Sequence, residues 1–166
     1  IGYPPCDEAE LLRQPGVTML AGPLPAQLMT NISLRIDSLK LHDSRLVVAA
    51  TIINRSSLTL PAYSTTHTPV RLSPRFVDNQ TALSDLAHLA GWDLRQPVGF
   101  DVPGGSSRPI TFSIAPPPVP GTYRLAISMV QDGVAWFHNL GMRIPVSVQT
   151  VDVAADHTVR LSGDGD

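Results

Sequence analysis

The sequence predicts an all-β domain, an antiparallel β-sandwich of about eight strands with one short helical insert. Proline supplies 16 of the 166 residues. Because proline is disfavoured in helix interiors and central strands, it divides the chain into short elements. Several stretches alternate apolar and polar residues with the period of two that is typical of strands. Turn-forming residues separate these stretches at intervals of roughly 8–12 residues, without the repeated helices of a parallel α/β sheet. A closed barrel is the structural alternative.

Composition limits the classes of function that the chain can have. Hydrophobic residues make up 43% of it, charged residues make up 16%, and the net charge is −2. We therefore expect a folded domain that lacks the basic excess needed for nucleic-acid binding. No apolar stretch is long enough for a transmembrane segment. Because the chain begins with Ile1, we expect a processed product or a piece of a longer protein.

Cys6 is the single cysteine, so an intrachain disulfide is excluded. This favours a reducing, cytoplasmic location. Membrane association through a partner and an extracellular or periplasmic location stay open as alternatives.

The first part of the chain is predicted to be a proline-rich arm or linker over residues 1–30, with one short strand around Val17–Leu20. Regular alternation begins at Ile32 and changes parity near Asp37-Ser38, which predicts a β-bulge there. After a turn, the apolar run Arg45–Asn54 is rich in valine and isoleucine, which favours a central strand over a helix.

The middle of the chain holds the helical insert. Residues Pro69–Val77 alternate as a strand that Pro74 restricts to an edge or bent position. Helical spacing of apolar residues occurs within Thr81–Gly91 and predicts one short helix. Two further strands follow, at Val98–Val102 and at Pro109–Ile114.

The clearest local signal is a hairpin from Tyr123 to His138. Its Asp132-Gly133 dipeptide matches a type I′ turn, in which both central residues have positive φ. A last strand is predicted at Arg143–Val153, followed by a flexible tail over residues 154–166. The sandwich itself is therefore predicted to span residues 31–153.

The segment Pro120–Gly141 resembles the closing hairpin of immunoglobulin-like accessory domains of bacterial cell-surface polysaccharide assembly. Such domains are appended to glycosyltransferases, to methyltransferases and to the ATPases of O-antigen exporters. The shared features are a Pro-Gly-x-Tyr turn, a strand, and then Val-Gln-(Glu/Asp)-Gly-Val-x-Trp-Phe followed by a glycine. The matching positions are Pro120, Gly121, Tyr123, Val130, Gln131, Asp132, Gly133, Val134, Trp136, Phe137 and Gly141.

A second stretch is also similar to this family. Asn54-Arg55-Ser56 precedes a Pro-Val-x-Leu strand at Pro69–Leu72, so that the resemblance covers roughly Leu46 to Val148. It implies an immunoglobulin-like sandwich and a carbohydrate-linked role, since the exporter's C-terminal sandwich recognises the glycan that is exported. The helical insert and the proline-rich arm depart from the family, so the resemblance does not carry a particular ligand over to this chain.

Five residues are candidates for ligand binding. Trp92 follows the helical insert beside Arg95, and loops on a rigid scaffold commonly carry binding residues. Tyr63 and His67 lie in the polar loop Ala62–Thr68. The alternative for Trp92 is that it covers an open end of the sandwich.

Trp136 is the fifth candidate, because an exposed tryptophan ring can pack against the apolar face of a sugar. Trp136 and Phe137 are adjacent on one strand, so at most one of them can face the core. The alternative for Trp136 is that it fills that core, as large aromatic residues usually do.

Familiar catalytic and metal-binding patterns are absent from the sequence. The sequence has no Gly-x-Ser-x-Gly elbow, phosphate-binding loop, dinucleotide fingerprint or His-Glu-x-x-His motif. The five histidines have no metal-ligand spacing. We therefore expect no cofactor and no metal.

The sequence predicts a non-catalytic module that binds a surface polysaccharide or assists a neighbouring enzyme domain. The alternative is a structural or protein-interaction domain that orients such an enzyme or forms a homodimer through sheet edges. An enzyme in its own right is the third hypothesis.

Overall fold

Two antiparallel β-sheets pack face to face, as the sequence predicts. The computed structural model describes residues 24–63 and 68–163; His67 and the strand predicted at Val17–Leu20 lie outside these ranges. The elements are α1 (Ala26–Met29), β1 (Ile32–His42), β2 (Arg45–Asn54), β3 (Val70–Asp78), the 3₁₀ helix η1 (Leu83–His88), β4 (Gln96–Pro97), β5 (Ser107–Ile114), β6 (Gly121–Gln131), β7 (Ala135–Trp136), the 3₁₀ helix η2 (Phe137–Leu140), β8 (Thr150–Val153) and β9 (Val159–Ser162).

The smaller sheet has the strand order β1-β2-β5, and the larger one has the order β4-β3-β6-β8-β9 with β7 beside β6. Two separate sheets make a sandwich rather than a closed barrel. The all-β fold with one short helical insert is thereby confirmed. No helix in residues 24–63 and 68–163 is long and apolar enough to cross a membrane.

The core lies between the sheets, and β2 shows why. Alternate residues of β2 point inward and are almost fully buried: Leu46, Val48, Ala50 and Ile52. Pairing with β1 on one side and β5 on the other makes β2 the central strand of its sheet. Its apolar composition is therefore explained by burial, at roughly 1.5–3 kcal/mol for each fully buried large side chain.

The β1–β2 hairpin contains the predicted β-bulge and also a type I′ turn, which was predicted elsewhere. The register of β1 shifts between Ile36 and Ser38, where the bulge is predicted. The type I′ turn occurs here rather than at β6–β7, because Asp43 and Ser44 have φ values of 49° and 64°. At Asp132-Gly133 only the glycine has positive φ, at 78°. The type I′ prediction there is wrong, and β6 and β7 pair through just Val130↔Trp136 and Gln131↔Ala135.

The helical insert lies on the outer face of the larger sheet. Within the predicted range Thr81–Gly91, the structure has the 3₁₀ helix η1. Its buried residue Leu86 packs with Val77, Ala126 and Ile144 in a cluster separate from the main core. The insert therefore covers a sheet face that would otherwise meet solvent.

Both ends of the described chain are more ordered than the sequence suggests. Leu28 and Met29, within the predicted arm, are buried in the main core. The predicted tail is not frayed up to Gly163, since β9 pairs with all of β8. Val159 and Leu161 of β9 are partly buried and pack against the main core, which stabilises this pairing.

The predicted last strand, Arg143–Val153, is regular only at its end. Residues 143–149 follow β6 irregularly, through a bridge between Ala126 and Val146. Pro145 has no N–H to donate, and its carbonyl accepts the Ile127 N–H at 3.2 Å. This irregular segment lines one of the two concave surfaces described below.

Candidate functional site

Two aromatic candidates from the sequence meet on the outer face of the larger sheet. The ring centroids of Trp92 and Trp136 are 6.4 Å apart. His138 completes the group: its ring lies 5.7 Å from Trp92 and stacks on Trp136 at 5.3 Å, with an interplanar angle of 24°. Residues separated by 46 positions thus form one aromatic cluster, and His138 belongs to it although it is not among the candidates that the sequence predicts.

The position of Trp136 follows from the strand geometry. Phe137 is fully buried in the main core, so its neighbour Trp136 faces outward and is half-buried. Phe137, rather than Trp136, therefore fills the space between the sheets. The chain turns into η2 at this point, which carries His138 back over the same outer face.

Trp92 is buried rather than exposed, with 6% of its surface accessible. It packs in the outer cluster with Leu86 and Ile144 and does not cover an open end of the sandwich. The Arg75 guanidinium lies 5.3 Å from its ring and donates to the carbonyl of Ala90. The Trp92 Nε1–H is buried and has no acceptor among the described residues, which is costly for a buried donor.

Arg95 connects the loop to the sheet. Its Nε donates to the Asp132 Oδ1 at 2.9 Å and its Nη1 donates to the Trp92 carbonyl at 2.6 Å. The guanidinium carbon also lies 4.8 Å from the centroid of the Trp136 ring, a favourable cation–π distance. Arg71 lies 3.4 Å from the other Asp132 oxygen. Asp132, assigned by the sequence only to a turn, therefore holds two arginines in place.

His138 makes one side-chain hydrogen bond inward, to the hydroxyl of Ser128. Its Nδ1 lies 2.6 Å from the Ser128 Oγ, and burial lowers the pKa of the imidazole below the ordinary value of 6.5. A histidine beside a serine resembles a base and its nucleophile. Ser128 is fully buried, so a substrate cannot reach its hydroxyl, and the pair stabilises the fold instead.

The surface next to this cluster is a shallow depression of about 370 Å³, called here the tryptophan pocket. Ala87 and residues 89–91 of the insert form one side of it. The remaining walls are Trp92, Asp93, Arg95, Trp136, His138 and Asn139. Three of the five candidate residues, Trp92, Arg95 and Trp136, are thus brought together.

The other two candidates do not join them. Tyr63 is exposed and lines neither concave surface; its backbone N–H donates to Asp101 Oδ1 at 2.8 Å. His67 lies outside the described residues. Residues 24–63 and 68–163 contain no group of three or more His, Cys, Asp or Glu side chains that could hold a metal ion.

A second, larger concave surface of about 820 Å³ lies beside β1. Residues 33–36 of β1 form one wall, and residues 142–148, most of them in the irregular segment that follows β6, form another. Ile53, Arg55, Arg124 and the insert residues Leu83, Leu86 and Ala87 complete it. This surface, called the arginine groove below, contains none of the five sequence-predicted candidates.

No protein-family model and no curated protein sequence matches the chain. Among solved structures, the chain is similar to β-glucosidase from Kluyveromyces marxianus, once in complex with glucose and once labelled with selenomethionine. The TM-scores are 0.42 and 0.38, each at 10% sequence identity. The alignments cover 81% and 80% of this chain but 15% and 14% of the β-glucosidase chain. This chain therefore spans a small part of those enzymes' length, and a likeness at this level carries no argument about function.

Proposed function

We propose that this domain is a non-catalytic carbohydrate-binding module and that the tryptophan pocket takes one sugar unit of a glycan. The observation that carries the proposal is the convergence of Trp92, Trp136 and His138 beside exposed polar side chains of Asp93 and Asn139. A sugar ring combines an apolar face with hydroxyl groups, so it needs both kinds of contact at once.

The size and rigidity of the pocket support this proposal. Its volume of about 370 Å³ lies near the lower end of the range for small-molecule sites. The Arg95–Asp132 ion pair and the Arg95–Trp136 contact fix the pocket wall before a ligand arrives. A preorganised wall reduces the conformational entropy lost on binding.

The chemistry at the rim supports a neutral, hydroxyl-bearing ligand. Asp93 accepts hydrogen bonds and Asn139 both donates and accepts them, which matches vicinal hydroxyls. Arg95 is already paired with Asp132, and Asp93 adds a negative charge at the rim, so the pocket does not call for an anionic group. The resemblance of Pro120–Gly141 to polysaccharide-assembly domains supports a bacterial surface glycan as the source of that sugar.

The test is a glycan array followed by titration of tryptophan fluorescence with each positive glycan. The protein has two tryptophans, and both line the pocket, so the fluorescence reports on this site directly. Asp93→Ala and Asn139→Ala are expected to weaken binding about fivefold to tenfold each, because each removes one or two hydrogen bonds.

Asp85→Ala is the matched control, since Asp85 is an exposed carboxylate of the insert that does not line the pocket. Its affinity is expected to equal that of the unchanged protein. Absence of any fluorescence change at millimolar concentrations of all array glycans would overturn the proposal. The interaction-domain alternative is favoured by a different observation, the apolar and cationic lining of the arginine groove.

A further inference from the structure

The arginine groove lies at an unpaired sheet edge. β1 is the outermost strand of the smaller sheet and pairs with β2 on one side. No strand in the described part of the chain pairs with its other side. Edge strands with free N–H and C=O groups readily accept another extended chain.

Protection of this edge is confined to its second half. The bulge between Ile36 and Ser38 bends the strand, the Leu39 N–H donates to the side chain of Gln149 at 3.0 Å, and Lys40 is exposed beyond it. Bulges and lysines are the devices that block edge pairing. Residues 33–36 precede the bulge and line the groove; they include no lysine, and their single charged side chain is Arg35.

Apolar side chains flank this half of the strand. Leu83 and Val148 both line the groove and are 60% and 66% exposed. Ile36 and Ile53 add half-buried surface between them. Apolar side chains that remain this exposed are stabilised when a partner covers them.

The charges of the groove are all positive. Its lining includes Arg35, Arg55, Arg124 and Arg143 and no aspartate or glutamate. Arg35 is paired with the nearby Asp37 at 2.7 Å. Within the described residues, no carboxylate pairs with Arg55, Arg124 or Arg143. The Arg124 Nε is buried and has no acceptor among the described residues, which is costly for a charged donor.

We propose that the arginine groove binds an extended, acidic peptide segment of a partner protein, which adds as a strand to residues 33–36 of β1. Alternate side chains of an added strand point to opposite faces. One set would cover Leu83 and Val148, while glutamates or aspartates in the other set would reach the arginines. This site is separate from the tryptophan pocket and independent of its proposed sugar.

Two other occupants fit the groove less well. A second copy of this chain, paired β1 to β1 about a two-fold axis, would bring two sets of arginines together, and like charges in apposition are destabilising. An acidic glycan matches the charge but not the lining, which contains no aromatic side chain and does contain exposed aliphatic ones.

The test measures binding of a fluorescent peptide in which glutamate alternates with valine, by anisotropy, to the full chain. Hydrogen exchange of the β1 amides is followed in parallel. The expected result is saturable binding that slows exchange at residues 33–36. Binding should weaken with added salt, because charge interactions at an exposed site are screened.

Arg55→Ser with Arg143→Ser is expected to weaken this binding roughly threefold to tenfold, as two exposed ion pairs are lost. Both arginines are exposed, so the fold is expected to persist. Arg160→Ser is the matched control: Arg160 is an exposed arginine of β9 outside the groove, and its affinity should be unchanged.

Four results would overturn the proposal. Equal binding of a peptide with lysine in place of glutamate would remove the role of charge. Equal binding of a peptide with methylated backbone nitrogens would contradict strand pairing, because such a peptide cannot donate backbone hydrogen bonds. Tighter binding of polygalacturonate at matched charge would assign the groove to an acidic glycan instead of a peptide. A dimer in light scattering whose β1 amides are already protected would assign the edge to a second copy of the chain.

Discussion

The tryptophan pocket and the arginine groove differ in whether a carboxylate pairs with their arginines. At the tryptophan pocket, Arg71 and Arg95 share Asp132, and Arg95 also packs on Trp136. At the arginine groove, Arg55, Arg124 and Arg143 have no carboxylate partner in the described part of the chain. Charges paired with a carboxylate stabilise a wall, whereas charges without such a partner leave free energy to be gained from an anionic partner. The wall of the tryptophan pocket is therefore preorganised, whereas the arginines of the groove lack the carboxylate partners that a bound peptide could supply.

The largest expected effect tests whether the pocket wall is part of the folded structure. Trp92→Ala removes a buried ring from the outer cluster and should lower the free energy of unfolding by about 3–5 kcal/mol, measured by urea denaturation. Leu94→Ala is the control, because Leu94 is 52% exposed and its loss should cost no more than about 0.5 kcal/mol. Equal effects of the two substitutions would show that Trp92 is not packed as described.

A smaller effect tests the shared carboxylate. Asp132→Asn leaves Arg71 and Arg95 without their counter-charge in a half-buried setting, and should lower the free energy of unfolding by about 1–2 kcal/mol. Asp85→Asn, an exposed carboxylate without an ion pair among the described residues, should change it by less than about 0.5 kcal/mol. If both substitutions were neutral, the pocket wall would not depend on charge compensation.

The pH dependence tests the burial of His138. Burial lowers the pKa of its imidazole in the folded state below the ordinary value of 6.5. The unfolded chain therefore binds more protons than the folded chain between these two pKa values, so stability falls as the pH falls through 6.5 towards the folded pKa. Denaturation of His138→Gln across this pH range should show a shallower slope than the unchanged protein. An identical slope would assign the pH dependence to other groups.

The smallest expected effect tests whether Asp37 limits the positive charge of the arginine groove by pairing with Arg35. Burial raises the pKa of Asp37, but hydrogen bonds from Thr51 and Arg35 outweigh it and hold the pKa below its usual range. Asp37 is therefore ionised at neutral pH and neutralises Arg35. Asp37→Asn should release Arg35 and strengthen binding of the glutamate–valine peptide roughly twofold. Weaker binding would mean that the position of Arg35, rather than its free charge, matters.

The sequence predicted local structure well where one residue pattern decides it. The strand β2 begins and ends where its apolar run does, and the bulge in β1 occurs where the alternation changes parity. It failed where competing contacts decide the backbone. Asp132-Gly133 has the composition of a type I′ turn, but Asp132 is held by Arg71 and Arg95, and only Gly133 adopts positive φ.

The candidate site shows the same limit. The structure brings Trp92, Arg95 and Trp136 to one pocket, whereas the sequence offered Trp136 as a separate candidate and treated Trp92 as a loop residue. Its burial depends on Leu86 and Ile144, which are distant in sequence from each other. His138 was missed because no spacing connects it to Trp92 across the intervening strands.

The sequence alone therefore determined the sandwich, because the period of two and the placement of prolines act over a few neighbouring residues. The tertiary structure decided which tryptophan is buried, which arginines are paired and which half of β1 is open. These properties depend on side chains that the fold brings together from distant positions, such as Arg55 with Arg143. The free energies of burial and of charge pairing depend on those contacts, so a local sequence pattern does not determine them.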